Sequence, residues 1–381
     1  MKKLLQILCV LLIFIAGCAK PIYIRHLQSG RPGYFMYGGV PSRDFYVPVD
    51  LGDSLKQVAE LDAYGSFANT TPVIYDNYIF MADLSGRVHA FNVDSGKTIG
   101  YEKFGGTIEI APVLYNFRMF NVINESEKRF STISYFDFFV HKILAEIPIP
   151  GKVTNEMLKL DDGIIVLTDE GTLYKINYAG IKDWSVKTNV NVYGSPAYSD
   201  GLIVFGNIKG ELVAVNEKTQ KIEYRKKICQ SIEGGATISE GNIFIGDAQG
   251  VLYSIDLKSG TINWRFDTGT KIKSIPVFND DQVFIGNLNG DLFSVDKKSG
   301  QKIWETATEG IINTTPLLFN DYLVQPNVAR KVFLIDIKNG DIVKTIEYDR
   351  RVKTTPVYYQ HKLFIGVDKS SMFVYQAVNS N

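Results

Sequence analysis

The sequence has little cysteine. Three of its 381 residues are cysteine, and two of them, Cys9 and Cys18, lie close to the first methionine. Cys229 is left alone in the rest of the chain, which excludes a framework of intramolecular disulfides. The fold must therefore be held by an apolar core. A chain of this length with 45% hydrophobic residues can supply one.

Signals of catalysis are missing as well. No GxSxG, GxxxxGK[ST] or CxxC pattern occurs, and the 33 glycines fall at turns rather than in a phosphate-binding loop. The four histidines lie far apart and show no metal-binding spacing; they are His26, His89, His141 and His361. We therefore predict that the protein has no catalytic residues and no metal site, and that it is not an enzyme.

The chain has no excess of charge of either sign. Its 41 basic residues balance 41 acidic ones, and removal of Lys2 and Lys3 with an export segment would leave 39 basic residues. A protein that binds nucleic acid through its phosphates needs a basic surplus. Nucleic acid is therefore excluded as a partner.

The start of the chain has the layout of an export signal. Two lysines precede an apolar run from Leu4 to Ile15, which is too short to span a membrane comfortably. The ending Ile-Ala-Gly-Cys18 resembles the lipobox of bacterial lipoproteins, in which the cysteine receives lipid and becomes the new N-terminus. We predict a signal peptide over residues 1–17 and lipid on Cys18, which would anchor the protein to a membrane. An ordinary signal peptide that ends near a cysteine is the alternative.

The rest of the chain repeats itself. Gly250–Trp264 reads GVLYSIDLKSGTINW, and Gly290–Trp304 reads GDLFSVDKKSGQKIW. A strand start of the Pro-Val type recurs at eight anchors, which are Pro72, Pro112, Met157, Pro196, Ala236, Pro276, Pro316 and Pro356. Steps of 39 to 45 residues between anchors indicate a repeat architecture.

Each repeat contains short apolar runs separated by Gly, Asn, Asp and Ser, as in strands joined by hairpins. Four strands per repeat, arranged around an axis, predict an all-β propeller, with an open solenoid as the competing geometry. The last repeat ends about one strand short, and Leu55–Leu61 lies where the missing strand would be. We therefore predict eight four-stranded antiparallel blades over residues 55–381, closed by an N-terminal strand that completes the last blade.

Two sets of residues recur for structural reasons. One turn begins with an Asp that accepts turn N–H groups and ends with a Gly that takes positive φ. These residues are Asp256 and Gly260 in one repeat, and Asp296 and Gly300 in the next. A large flat side chain on the last strand can fill the gap between adjacent blades, at Trp184, Trp264 and Trp304. A further polar set also indicates turns rather than a catalytic site: Asp83, Asn207, Asp247, Asn287 and Asn327.

The pattern D-x-x-S-G-x-x-x-W, with its Pro-Val strand start, resembles the pyrroloquinoline-quinone-like propeller repeats. A lipoprotein with eight such blades is similar to the BamB family, which belongs to the machinery that assembles outer-membrane β-barrels. The resemblance implies a non-catalytic scaffold that is anchored in the outer membrane and faces the periplasm. It implies a BamA-like assembly protein, and unfolded outer-membrane proteins, as partners. No cofactor is expected beyond the lipid on Cys18, and Ala19 is typical of outer-membrane lipoproteins.

In that family, loops that lead into two neighbouring blades bind the partner. The matching loops here read TNVNVYGSP and CQSIEGGA. The resemblance therefore implies that Val192, Tyr193 and Glu233 contact a partner. An arginine expected in the first loop is absent.

The same resemblance allows a small quinoprotein oxidoreductase that uses pyrroloquinoline quinone and calcium. Such enzymes need a central pocket with oxygen ligands for Ca²⁺, and many have two adjacent cysteines, which Cys229 alone cannot provide. Another exported propeller that binds a ligand or protein is a third possibility.

Two regions depart from the repeat. The second repeat has five extra residues and carries Phe136, Phe138 and Phe139, which either fill the core or present an adhesive loop. Residues 18–54 form an aromatic-rich lipidated tether that either packs along the propeller or binds a partner.

Overall fold

The computed structural model describes residues 21–24, 29–63, 65–368 and 371–378. These residues form eight antiparallel sheets arranged as blades around a central channel, and no helix occurs among them. The prediction of an all-β, eight-bladed propeller is therefore confirmed. The predicted signal peptide and Cys18 lie outside the described residues.

Blades 2 to 4 are each built from four consecutive strands, and blade 1 adds one early strand to four consecutive strands. Blade 1 contains β1 (Gly33–Tyr34), β3 (Val73–Tyr75), β4 (Tyr78–Ala82), β5 (Arg87–Asn92) and β6 (Thr98–Lys103). Blade 2 contains β7 (Val113–Tyr115), β8 (Arg118–Asn124), β9 (Phe130–Asp137) and β10 (Lys142–Pro150). Blade 3 contains β11 (Leu158–Lys159), β12 (Gly163–Leu167), β13 (Thr172–Asn177) and β14 (Lys182–Lys187). Blade 4 contains β15 (Ala197–Ser199), β16 (Leu202–Gly206), β17 (Glu211–Asn216) and β18 (Lys221–Lys227).

The other four blades follow the same plan until the last one. Blade 5 contains β19 (Thr237–Ser239), β20 (Asn242–Gly246), β21 (Val251–Asp256) and β22 (Ile262–Asp267). Blade 6 contains β23 (Val277–Phe278), β24 (Gln282–Gly286), β25 (Asp291–Asp296) and β26 (Lys302–Ala307). Blade 7 contains β27 (Leu317–Leu318), β28 (Tyr322–Pro326), β29 (Lys331–Asp336) and β30 (Ile342–Glu347). Blade 8 contains β31 (Val357–Tyr359), β32 (Lys362–Gly366), β33 (Ser371–Ala377) and the early strand β2 (Leu55–Asp62).

The ring is closed by its two ends. Strand β2 pairs antiparallel with β33, in a register that runs from Leu55 opposite Ala377 to Asp62 opposite Ser371. The sequence-based prediction of a closing N-terminal strand is therefore confirmed. Because both termini contribute to one sheet, blade 8 has four strands, as blades 2 to 7 do, and β33 is not left as an edge strand.

The inner strands are apolar on both faces because each blade is packed between two neighbours. In β20, for example, Ile243, Phe244 and Ile245 are all fully buried. The outermost strands instead alternate, as in β22, where Trp264 is buried and its neighbours are exposed. The core is therefore a stack of apolar layers between blades.

Adjacent blades contact each other through a tryptophan side chain on one blade and a glycine on the next. The indole of Trp264, on the last strand of blade 5, donates from Nε1 to the Lys297 carbonyl of blade 6 at 3.0 Å. Gly300 lies against the same ring, and a Cβ there would be 2.6 Å from an indole carbon. Trp304 repeats the arrangement one blade further on with Gly340. Trp184 is half-buried at the corresponding place in blade 3.

The recurring aspartates and asparagines form turns. Oδ1 of Asp256 accepts from the Ser259 N–H and hydroxyl, both at 2.7 Å, and Asp296 makes the same bonds to Ser299. These hydrogen bonds lower the pKa of both carboxyls. The other set (Asp83, Asn207, Asp247, Asn287 and Asn327) is buried, and each accepts turn N–H groups with Oδ1.

The propeller has two different faces. The turns between the first and second strands of each blade, and between the third and fourth, lie on one face. The connections between blades lie on the other face. Residues 29–54, which we call the N-terminal segment, run across the first face and close the channel there. Backbone N–H groups on the innermost strands donate to its carbonyls, in pairs that include Leu114 with Phe35, Tyr198 with Pro41, Ile238 with Ser42 and Leu318 with Phe45. We call this side the plugged face and the other the open face.

Candidate functional site

The open end of the channel is lined by one side chain from each blade. Each of these residues lies three positions before a Pro-Val-type anchor, in the connection from the preceding blade. The eight mouth residues are Asn69, Glu109, Thr154, Tyr193, Glu233, Lys273, Asn313 and Lys353. All of them are polar, and the two cations and two carboxylates give the mouth a mixed charge.

Two of the three residues predicted to contact a partner lie at this mouth. Tyr193 is 55% exposed, and it lines a cavity of about 520 Å³ together with Glu233. Val192, in contrast, is fully buried in the core between blades. Because side chains alternate along an extended segment, exposing Tyr193 turns Val192 inward, and its side chain has no surface to offer a partner.

Lysines and one isoleucine complete the surface around these two residues. Glu233 accepts from Lys271 Nζ at 2.6 Å, and Lys273 Nζ lies 3.9 Å from its other oxygen. Ile208 is partly exposed, and its N–H donates to the carbonyl of Asn191 in the Tyr193 loop at 3.1 Å. An aromatic ring, an aliphatic side chain and a charge cluster therefore share one rim.

Below the mouth, the channel narrows to a chamber of about 140 Å³ that contains Glu156. Its carboxyl accepts from the Thr70 hydroxyl and from the Ala111 N–H, the latter at 2.9 Å. Burial raises the pKa of Glu156 to about 7, against the hydrogen bond from Thr70 and the charge of Arg43, which lower it. The chamber therefore holds one carboxyl that titrates near neutrality.

Tyr37, from the N-terminal segment, lines the chamber, and Arg43 packs against the Tyr37 ring. The fully buried guanidinium of Arg43 donates to four backbone carbonyls, those of Tyr37, Glu156, Met157 and Pro196. Burial lowers the pKa of Arg43 to about 10, although the Glu156 carboxylate opposes this shift. Tyr37 donates or accepts at Thr315 Oγ1, 3.0 Å away. The described part of residues 18–54 is therefore packed into the propeller.

The other reactive groups among the described residues include a thiol and a buried Asp–His pair. Burial raises the pKa of the Cys229 thiol to about 12, so it is a poor nucleophile. Asp83 and His89 form a buried pair at 2.8 Å, with no chamber beside them and no hydroxyl or thiol nucleophile bonded to the imidazole. Within the described residues, no group of three or more His, Cys, Asp or Glu side chains could hold a metal ion.

The chamber below the mouth does not fit pyrroloquinoline quinone and calcium. The chamber of about 140 Å³ is smaller than the roughly 300–1,000 Å³ of small-molecule sites. Part of its wall is Tyr37, which belongs to the chain itself. Glu156 is the carboxyl buried in the chamber, and its oxygens already accept from Thr70 and Ala111, while the other two lining carboxyls, Glu109 and Glu233, stand at the mouth.

The family model described as outer membrane protein assembly factor BamB matches residues 225–379, from the end of blade 4 through blade 8. The structure of BamB from Moraxella catarrhalis covers 84% of this chain and 99% of its own, at 15% identity and a TM-score of 0.72. The chain is a BamB-like propeller of pyrroloquinoline-quinone-type repeats. No curated protein sequence matches it.

The BamB-like propeller is also similar to proteins with other roles. The computationally designed Ika8 protein matches at 13% identity and a TM-score of 0.71, covering 84% of this chain and 99% of its own. Quinohemoprotein alcohol dehydrogenase from Comamonas testosteroni matches at 10% identity and a TM-score of 0.75, covering 90% of this chain and 80% of its own. At these identities the likeness establishes the fold. No helix in the described residues has the length and hydropathy of a membrane span.

Most of the mouth residues were missed by reasoning from the sequence. Only Tyr193 and Glu233 were singled out, and both came from a resemblance. The signal that finds the remaining six is the repeat itself, since every mouth residue occupies the same position relative to its anchor.

Proposed function

We propose that the protein is a lipoprotein, anchored in the outer membrane through Cys18 and facing the periplasm. In this proposal it is a non-catalytic scaffold for the assembly of outer-membrane β-barrel proteins. Its partners are a BamA-like assembly protein and, through it, unfolded barrel proteins. The BamB-like propeller with an open, polar channel mouth is the observation that carries the proposal.

The mouth has the composition of a protein-docking surface. Tyrosine is enriched among the residues that dominate binding energy, and Tyr193 stands exposed at the rim. Glu233 with Lys271 and Lys273 forms a charge cluster that can fix the register of a complementary partner. The residues stand on connections held by a rigid ring, which is the usual arrangement of a recognition surface.

Co-purification tests this function. The full-length protein with a C-terminal tag would be captured from detergent-solubilised membranes, and the recovered proteins identified by mass spectrometry. We expect a barrel-assembly protein among them, and we expect Glu233→Lys or Tyr193→Ala to lower its recovery about ten-fold. Glu223→Lys is the matched control, because Glu223 is exposed on the outer strand of blade 4. Recovery of unrelated proteins alone, or equal recovery with all variants, would contradict the proposal.

An oxidoreductase that uses pyrroloquinoline quinone is the second candidate. The likeness to a quinohemoprotein dehydrogenase favours it, as does a buried carboxyl of near-neutral pKa in the channel. Because the chamber does not fit the quinone, we expect no dye reduction and no change in melting temperature when pyrroloquinoline quinone and Ca²⁺ are added. A clear rise in melting temperature would overturn that expectation.

A further inference from the structure

One turn on the plugged face is apolar where the matching turns of blades 5 and 6 are polar. In blade 2 the turn reads Asp137-Phe-Phe-Val-His141, whereas the same turns read DLKSG in blade 5 and DKKSG in blade 6. Phe139 and Val140, which we call the blade 2 tip, are 81% and 51% exposed. Lys298 and Ser299 occupy the matching positions in blade 6.

The fold does not require this apolar tip. Asp137 Oδ1 accepts from the N–H groups of Phe139 and Val140 at 2.8 and 3.1 Å, which is the same turn that Asp296 makes. His141 takes the positive φ that glycine takes elsewhere. Phe138 alone reaches the core, where it is buried. Packing therefore explains Phe138 and leaves the exposed pair unexplained.

The apolar surface extends beyond the tip. Ile143 and Leu144, at the start of β10, are 43% and 45% exposed. Ile181, in the neighbouring turn of blade 3, is 61% exposed, and the preceding Gly180 packs 3.5 Å from Ala145 of β10, measured to an added Cβ. A contiguous apolar surface on a soluble protein is typical of a site that contacts a partner or a membrane.

The first described residues lie against this tip. Ile22 is fully buried, and its N–H donates to Glu102 Oε1 at 2.8 Å. That carboxylate lies 3.4 Å from His141 Nε2. The ring of Tyr23 is 62% exposed and stands 6.4 Å from the imidazole of His141. The chain is therefore fixed between blades 1 and 2 immediately beside the tip.

This placement sets the distance between the tip and the lipid. Pro21 is three residues after Cys18, and a fully extended chain spans at most about 3.6 Å per residue, so the two Cα atoms are at most roughly 11 Å apart. Acyl chains on Cys18 would bring the bilayer to the same edge of the plugged face.

We propose that the blade 2 tip inserts into the boundary between headgroups and acyl chains of the bilayer that holds the Cys18 lipid. This inference rests on the lipid anchor of the proposed function. Phe139 and Val140 supply the apolar contact, and the exposed ring of Tyr23 suits the interface. Lys142, exposed beside the tip, can bind anionic headgroups. With the plugged face held against the membrane, the channel mouth points away from it.

A fluorescent label reports insertion directly. An environment-sensitive dye would be attached at Val140→Cys or, as the matched control, at Ser299→Cys, each with Cys229→Ser. The lipidated full-length protein would be reconstituted in vesicles of phosphatidylethanolamine with a minority of phosphatidylglycerol. We expect the dye at position 140 to shift to the blue and to lose roughly half of its emission to nitroxide-bearing lipids, as a group in the headgroup boundary does. The dye at position 299 should show neither change.

A second variant and a flotation step separate the outcomes. Phe139→Lys restores the polar pattern of the other turns, so we expect it to keep the melting temperature and vesicle flotation but abolish the shift at position 140. If the protein floats and positions 140 and 299 behave alike, insertion of the tip is overturned while the lipid anchor stands. If the protein does not float, the anchor fails and the tip proposal with it. A shift that needs no vesicles and grows with protein concentration would assign the tip to a second copy and overturn the proposal.

Discussion

At the scale of single residues, the contact between Trp264 and Gly300 holds blades 5 and 6 together. Gly300→Ala meets two obstacles: the φ of +71° at this position and an indole carbon 2.6 Å from the new Cβ. Gly269 has a φ of +81° with nothing within 4 Å, so Gly269→Ala carries only the backbone cost. In urea unfolding, we expect Gly300→Ala to lower the free energy of unfolding by about 1–3 kcal/mol more than Gly269→Ala. Equal losses would show that the Trp264 indole accommodates the new methyl group at no cost in stability.

Glu156 provides a test of the chamber through pH. Its folded-state pKa of about 7 lies above the ordinary 4.5, so the folded protein binds more protons between these values, and its free energy of unfolding falls as pH rises through that window. Glu156→Gln cannot ionise and lacks this loss. We expect the wild type to lose about 3 kcal/mol relative to the variant between pH 4 and 8, as an order of magnitude. Urea unfolding at a series of pH values measures it, and parallel profiles would contradict the burial of the carboxyl.

The sequence predicts recurring residues better than singular ones. The turn aspartates and interblade tryptophans could be found because each has copies one repeat away. Glu156 and Arg43 have no copies, and their environment arises only when the ring closes and the N-terminal segment enters the channel. Val192 and Tyr193 are adjacent in one loop, and only the coordinates tell which of the two faces solvent.

At the scale of elements, the N-terminal segment depends on one buried guanidinium. Arg43→Met leaves four backbone carbonyls without their donor, and we expect a loss of about 3 kcal/mol or more in the free energy of unfolding. The same change should accelerate hydrogen exchange at the Tyr198 and Ile238 amides, which donate to the segment.

Arg330 supplies the control for this change. It has a positive φ of 67°, close to the 66° of Arg43, but it is exposed. Arg330→Met should stay within about 0.5 kcal/mol of the wild type and leave those two amides protected. An Arg43 variant that behaves like the Arg330 variant would mean that the segment does not depend on its buried side chain.

The sequence alone did not predict whether the N-terminal segment packs on the propeller or binds a partner. It is rich in aromatic residues but has no period, so neither strand nor helix pattern predicts its path. Its carbonyls accept from the free edges of the innermost strands, and those edges meet only in the closed ring. The sequence also could not tell which phenylalanines of the irregular second blade are buried. Phe136 and Phe138 fill the core, while Phe139 is exposed to solvent.

At the scale of the whole molecule, closure makes β2 part of the last blade. Leu61 is buried there, whereas Val58 on the same strand is 47% exposed. We expect Leu61→Ala to cost about 2–5 kcal/mol and Val58→Ala less than about 0.5 kcal/mol. Tryptophan fluorescence, which reports blades 3, 5 and 6, should show a single transition that moves with backbone circular dichroism. Similar losses for the two variants, or tryptophan signals unaffected by Leu61→Ala, would contradict a ring sealed at blade 8.

The architecture was predictable because a period of about 40 residues leaves few solutions, and the missing strand at one end matched a surplus strand at the other. The path of the N-terminal segment and the exposure of the blade 2 tip were not, because neither has a counterpart in the other repeats.

In the proposed arrangement, the open face meets a protein partner while the plugged face lies toward the membrane. Photo-cross-linking in cells tests this most directly, with a light-activated amino acid placed at Tyr193 on the open face or at Ser299 on the plugged face. We predict a covalent adduct with a barrel-assembly protein from position 193 and none from position 299. Adducts with that protein from position 299, and none from position 193, would contradict the account.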